Sequence, residues 1–351
     1  MRWDDQATDQ EAGKRLPGLD RSGTIRTFDA PEAMGIQFME VEAKSALNHV
    51  PGETLPFSWT VNPYRGCTHA CSYCFARPTH TFLDLNARED FERKIVVKVN
   101  VPERLRAELA KPSWKGEAVA LGTNTDPYQW VEGRYGLTRA VWEVLIEARN
   151  PGSVLTKSPL LTRDIDLFKE LNEVAGFQAS LSIPTLDEKA WRATEPATPH
   201  PRKRIEAVAE LSAAGIPVGV LVAPLMPGIN DSPEQVEEIL RLCAEAGAGS
   251  VGGLGLHLKG EVKDIFFDWL RLHRPDLVAD YERLYRRGAF LPKPERERIG
   301  RLIAGARRKA GVGDSRFREG VRRNREIARV ERRREEAETS RAGVSRQVRL
   351  F

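Results

Sequence analysis

The chain has 351 residues, 41% hydrophobic and 30% charged, enough to bury a large core, and no apolar run nears the ~20 residues of a bilayer span. Its net charge of +4 sits at the end: from Asp314 to Phe351 stand 12 Arg and no Lys against 7 acids, so the remainder is near neutral. That argues against a uniformly basic nucleic-acid surface and leaves a basic tail able to touch phosphates.

Residues 1–45 have few periodic apolar positions and are expected to form an extended or poorly ordered lead-in. The polar, acid-bearing N-terminus is unlike a signal peptide, and four cysteines with three clustered are no disulfide framework; both point to a reducing cytoplasm. "PFSWTVN" (56–62) reads as a strand leading into a cysteine loop. "KIVVKV" (94–99) is β-rich, with a helix at "PERLRAELA" (102–110). Strands then alternate with helices of 3–4 apolar spacing: strands at 117–123, 153–158, 177–183, 216–226 and 250–258; helices at 138–149, 163–174, 201–215, 232–247 and 264–274. Repeated strand–helix units mean a parallel sheet.

About six units fit between residues 57 and 275, short of the eight that close a barrel. The expected fold is α/β: a partial (β/α)6 TIM-type barrel over 46–275, preceded by the 1–45 extension. Helices over 276–312 pack on the barrel, and a charged helical or disordered tail, 313–351, ends in "QVRLF". In such folds chemistry gathers at the carboxyl ends of the strands, where the cysteine loop lies.

That loop, "YRGCTHACSYCFARP" (64–78), holds Cys67, Cys71 and Cys74. Three thiolates within eight residues converge on one metal centre. Zinc wants a fourth ligand, which His69 or His80 would supply; an ordinary [4Fe–4S] cluster takes four thiolates, and Cys243 lies far along in a helix. Three cysteines therefore leave one iron open.

The CxxxCxxC spacing, with Tyr73 before the third cysteine, resembles the radical S-adenosylmethionine (SAM) superfamily. "GTNTDPYQ", "TKSPLLTRDIDLF", "SLSIPTLDEKAWRATEPATPHPRKRIEAV" and "PLMPGINDS" extend the similarity over roughly 42–310 to its spore-photoproduct-lyase-like, or DNA-repair-photolyase-like, group. The resemblance implies a [4Fe–4S] cluster on Cys67, Cys71 and Cys74 whose open iron chelates SAM. It further implies an external one-electron reductant, cleavage of the sulfonium to a 5′-deoxyadenosyl radical, and abstraction of a hydrogen atom, with DNA a candidate substrate. RNA, protein or small-molecule substrates, and a non-catalytic metal-binding protein, are the alternatives.

The lyase carries a hydrogen-donor cysteine where this chain has Gly122, Thr123, Asn124, Thr125 and Asp126, so the lyase reaction itself is in doubt. Tyr128, expected to be exposed in a Pro-containing turn, is the candidate for returning a hydrogen atom, with packing as its structural alternative. The resemblance places SAM against Tyr73, Gly122, Asn124, Asp126 and Ser182. Gly122 allows close backbone approach, and Asn124 and Asp126 accept from the amine. Lys157 and Ser158 end the third strand, and Arg204 is assigned the methionine carboxylate. "APLMPGIND" (223–231) resembles the adenine-side loop, and His257 ends the sixth strand facing either pocket or core. Finally, Gln347, Leu350 and Phe351 resemble the short peptides that bind bacterial sliding clamps: two apolar anchors with a glutamine at the rim.

Overall fold

The structure is a computed structural model and describes residues 24–51 and 55–314. Twelve strands are described: β1 (Thr24–Arg26), β2 (Gln37–Val41), β3 (Leu47–His49), β4 (Trp59–Val61), β5 (Tyr64–Arg65), β6 (Lys94–Lys98), β7 (Val119–Leu121), β8 (Gly152–Thr156), β9 (Phe177–Ser182), β10 (Val218–Leu225), β11 (Ser250–Gly255) and β12 (Gly313–Asp314).

Six of them, β4, β7, β8, β9, β10 and β11, pair in that order and all parallel. These are the six strands read from the alternating pattern. Their composition follows from burial on both faces: Val119, Ala120 and Leu121 of β7 are all buried. β3 adds antiparallel to β4 at one edge and β12 adds parallel to β11 at the other. The two edges do not pair with each other, so among the described residues the sheet is an open, partial barrel.

The helices cover the sheet with the stripe their periodicity dictates. Leu137–Glu147 buries Val141, Trp142, Val144 and Leu145. Trp142 meets Phe168 and Phe177 edge-on, at centroid distances of 5.7 and 5.4 Å, joining two helices and β9. Pro233–Glu245 opens with Pro233 at its first position, and Ser232 Oγ accepts from the Gln235 amide at 3.3 Å. The last described helix, Lys293–Ala310, buries Ile299, Ile303 and Ala306 and lies along β11.

The lead-in differs from expectation. Residues 24–45 include β1 and β2, which join β6 and β5 in a second sheet of order β1-β2-β6-β5. β2 runs parallel to β6, from Gln37 opposite Lys94 to Val41 opposite Lys98. Phe28, Phe38, Tyr64, Ile95, Val97 and Val131 form this sheet's own core. β6 thus lies outside the barrel. It holds β5, whose next residues are the cysteine loop.

Candidate active site at the cysteine loop

Gly66 begins the loop in the left-handed region (φ +85°); a Cβ there would stand 2.8 Å from His80 Cε1 and 3.0 Å from the Phe91 carbonyl oxygen. The loop then folds through successive turns: Ala70 N–H donates to Cys67 O (3.3 Å), Cys74 N–H to Cys71 O (3.2 Å), and Arg77 N–H to Cys74 O (3.3 Å). Two buried side chains set its shape. Arg77 donates from Nε to Cys71 O (2.9 Å), from Nη2 to Ala70 O (3.0 Å) and from Nη1 to Ala87 O and Arg88 O (3.1 Å each), and it pairs with Glu92. Gln129 accepts the Thr68 amide (2.9 Å) and donates to Gly66 O (3.0 Å). Sequence reasoning missed both; their only signals were an Arg just after the third cysteine and the Gln of "DPYQ".

Cys67 and Cys71 are buried and Cys74 is half-buried. Burial pushes the Cys74 thiol up to about 11, and Cys67 adds to it; Cys71 is also raised, by burial, by Glu195 and by the other two thiols. The three therefore lie within each other's electrostatic reach. Among the described residues no three His, Cys, Asp or Glu side chains are grouped to hold one metal ion. A four-iron cluster makes a different demand, because each thiolate binds its own iron. Cys243 stands apart in Pro233–Glu245, raised to about 12 by burial alone. His69 Nδ1 faces Asp126 Oδ2 at 3.4 Å, and His80 Nε2 faces Lys94 O at 2.9 Å. Three soft thiols, with His69 turned to Asp126 and His80 to a backbone carbonyl, fit a cluster with one iron left open.

Beside Cys71 lies a buried ionic network. Glu195 receives the Tyr73 hydroxyl, Lys157 Nζ (3.1 Å) and Arg204 Nη2 (2.6 Å). Burial opposes its charge. Arg204, then Lys157 and the Tyr73 hydroxyl, outweigh that and hold the carboxyl at about 2. Lys157 also donates to Ser182 Oγ (2.6 Å), and its ammonium stands 5.7 Å from the centre of the Tyr73 ring. Ser182 Oγ donates in turn to Ala223 O (3.0 Å). The ends of β8, β9 and β10 are thereby tied to the cysteine loop.

Several expected roles change. Arg204, expected at the methionine carboxylate, is 0% exposed, and its nitrogens are committed to Glu195, Thr198 Oγ1 (2.7 Å), Pro199 O (2.9 Å) and Ser182 O (2.9 Å); it neutralises Glu195. Tyr128 is 1% exposed, not an exposed turn residue. Its hydroxyl donates to Asp164 Oδ2 (2.9 Å) and accepts from Trp142 Nε1 (2.8 Å), deep in the helix layer, so it is a packing residue and not a hydrogen donor to the site. Asp126 accepts from Thr156 Oγ1 (2.6 Å), the Lys157 amide (2.8 Å) and the Tyr128 amide (2.9 Å), and faces His69. Its oxygens serve the protein and leave little for an amine. Gly122 (φ +81°) is required by the neighbouring strand: a Cβ would fall 1.8 Å from Leu155 O. Asn124 is half-buried with no hydrogen bond to any described residue. His257 stacks on Phe290 (4.2 Å), and Asn230 locks its own turn by accepting from the Met226 amide (2.6 Å). Gln347, Leu350 and Phe351 lie outside the described residues.

Comparison with known proteins bears on this site. The family model described as "Radical SAM superfamily" matches residues 61–255, more than half of the chain. An uncharacterized protein of Mycobacterium bovis is 45% identical over 309 residues, covering 87% of this chain and 91% of that one. The Radical SAM Nalpha-GlyT isomerase of Pseudomonas phage M6 is 29% identical over 168 residues, 48% of this chain and 33% of the isomerase. Among solved structures, a spore photoproduct lyase mutant with bound AdoMet and dinucleoside spore photoproduct superposes with a TM-score of 0.57 at 15% identity, over 77% of this chain and 78% of the lyase; that is a likeness of fold.

Proposed function

The chain belongs to the radical SAM superfamily, and we propose that it cleaves SAM reductively at a [4Fe–4S] cluster held by Cys67, Cys71 and Cys74, to act on a DNA substrate. The observation that carries this is the three-thiol loop, set by Arg77 and Gln129 at the carboxyl end of β4, next to Lys157. Bound there, cluster and SAM would supply one-electron cleavage of the sulfonium and hydrogen-atom abstraction from the substrate.

The chain's own residues would do the rest. Lys157 keeps one ammonium proton beyond its bonds to Ser182 and Glu195 and retains 15% exposure, which suits an incoming carboxylate. Glu195 and Ser182 orient that ammonium, and Asn124 offers a free amide at the end of β7. Tyr73, buried and bonded to Glu195, keeps water from the thiols' flank. DNA is favoured over other substrates by the photoproduct dinucleoside named in the lyase neighbour and by the Arg-rich tail. Gln347, Leu350 and Phe351 as a sliding-clamp peptide belong to the same proposal; binding of a 340–351 peptide to a purified clamp, lost when Leu350 and Phe351 become Ala, is its test.

For the enzyme, iron and sulfide are loaded anaerobically, then dithionite and SAM are added. The expected result is a [4Fe–4S] spectrum and release of 5′-deoxyadenosine. A colourless protein holding one zinc would overturn the radical reading. Deuterium transfer from a thymine-dimer oligonucleotide into deoxyadenosine tests the substrate; release without transfer removes DNA and leaves the chemistry.

A further inference from the structure

Two cations flank the entry to the cysteine loop, and no carboxylate of the described residues pairs with either. Arg65 ends β5, two residues before Cys67, and Lys98 ends β6, the strand paired with β5. Arg65 lies opposite Val96, and Lys98 stands two residues beyond Val96, so both share one face of the sheet. Arg65 is half-buried and has no hydrogen bond or ion pair from its guanidinium to any described residue. Lys98 donates to Asn62 O at 3.0 Å and meets no carboxylate. Burial, and then the Arg65 charge, push its ammonium down to about 8, as expected for a cation lacking a counter-ion.

Two more polar groups here lack partners. Asn62 Oδ1 and His80 Nδ1 are buried and unbonded. Asn62 is the residue whose carbonyl holds Lys98; His80 packs across Gly66 and feels the Arg65 charge. Because His80 Nε2 faces the Lys94 carbonyl, it carries the hydrogen, and Nδ1 is a bare acceptor. Excess positive charge thus stands on this face, and buried acceptors that need an O–H stand beside the same two strands. A phosphate satisfies both: its charge neutralises the cations, and a protonated oxygen or accompanying water supplies the hydrogen.

We propose that Arg65 and Lys98 form a binding site for a phosphate-class oxyanion at the approach to the cysteine loop, with Asn62 and His80 accepting from a protonated oxygen or water that comes with it. The site shares no side chain with the thiols or the Lys157–Glu195 network. It is tested without SAM or reductant, so it stands or falls apart from the radical chemistry.

The test is thermal unfolding of the full chain with inorganic phosphate titrated at constant ionic strength, beside binding of a short single-stranded oligonucleotide lacking terminal phosphate. Phosphate is expected to raise the melting temperature along a saturating curve. Lys98→Gln and Arg65→Gln should each weaken that response by about tenfold, while Arg65→Lys, which keeps the charge but not the fork, weakens it less than Arg65→Gln. Each variant is compared with itself with and without phosphate, so a changed baseline does not matter. Oligonucleotide affinity that also falls in Lys98→Gln identifies a phosphodiester as an accepted source; affinity that does not fall leaves free or terminal phosphate. The proposal is overturned if neither probe distinguishes wild type from Lys98→Gln and Arg65→Gln.

Discussion

Replacing Glu195 with Gln removes one negative charge from between two cations and leaves the side chain's shape nearly intact. The folded protein holds this carboxyl at about 2, against an ordinary 4.5. At about 1.4 kcal/mol for each tenfold change in acidity, the ionised form contributes about 3 kcal/mol to folding at neutral pH. A depressed carboxyl stabilises above its unfolded value and loses that contribution as pH falls toward its folded value. Wild type therefore gives up stability between about 4.5 and about 2, whereas Glu195→Gln has none of it to lose. Urea unfolding should show the variant weaker by about 3 kcal/mol at pH 7, with roughly a third to a half of that gap gone at pH 3.5. Glu195→Ala should cost more, about 3–5 kcal/mol, because Arg204, Lys157 and Tyr73 then lose the accepting oxygen as well as the charge. A Glu195→Gln variant within 1 kcal/mol of wild type at pH 7, or a gap that does not narrow on acidification, would refute the view that this charge binds the strand ends together (about 1 kcal/mol being a typical neutral hydrogen bond).

Three further outcomes are expected. Gly122→Ala drives a methyl into the Leu155 carbonyl and strains a positive φ, so it should lower stability by about 4 kcal/mol or more, seen as a large fall in melting temperature. Cys243→Ala should load iron and sulfide like wild type while Cys71→Ala loses the cluster spectrum; equal loss in both would make Cys243 a ligand. Tyr128→Phe should cost about 1–2 kcal/mol through its bonds to Asp164 and Trp142, yet keep deoxyadenosine release per iron within about twofold. Abolished release at unchanged stability would return Tyr128 to the chemistry.

The six barrel strands and their helices were readable because each announces itself locally, by apolar period and by caps such as Ser232–Pro233. The second sheet was not, because its signal is a pairing: β2 is five residues long and meets β6 more than fifty residues later. The cysteines were readable for the same local reason as the strands, three thiols in eight positions. The residues that set their loop were not, since Arg77 and Gln129 act through backbone carbonyls and amides that carry no residue identity.

Arg204 shows where one-dimensional reading goes astray. An arginine in a strand-end loop looks like a ligand's partner until its own counter-charge is found, and Glu195, nine residues earlier, was in view throughout. Burying a guanidinium without an acid is prohibitive, so a fully buried arginine beside a fully buried glutamate already has its partner. The same reasoning run backwards gives the candidates. Asp126, Ser182 and Tyr128 each have hydrogen-bond partners within the fold, whereas Asn124, Arg65 and Lys98 reach the end of that accounting with donors still unmatched. A binding residue in this fold is therefore identified by what its neighbours fail to supply, and that deficit exists only once the strands have brought those neighbours together.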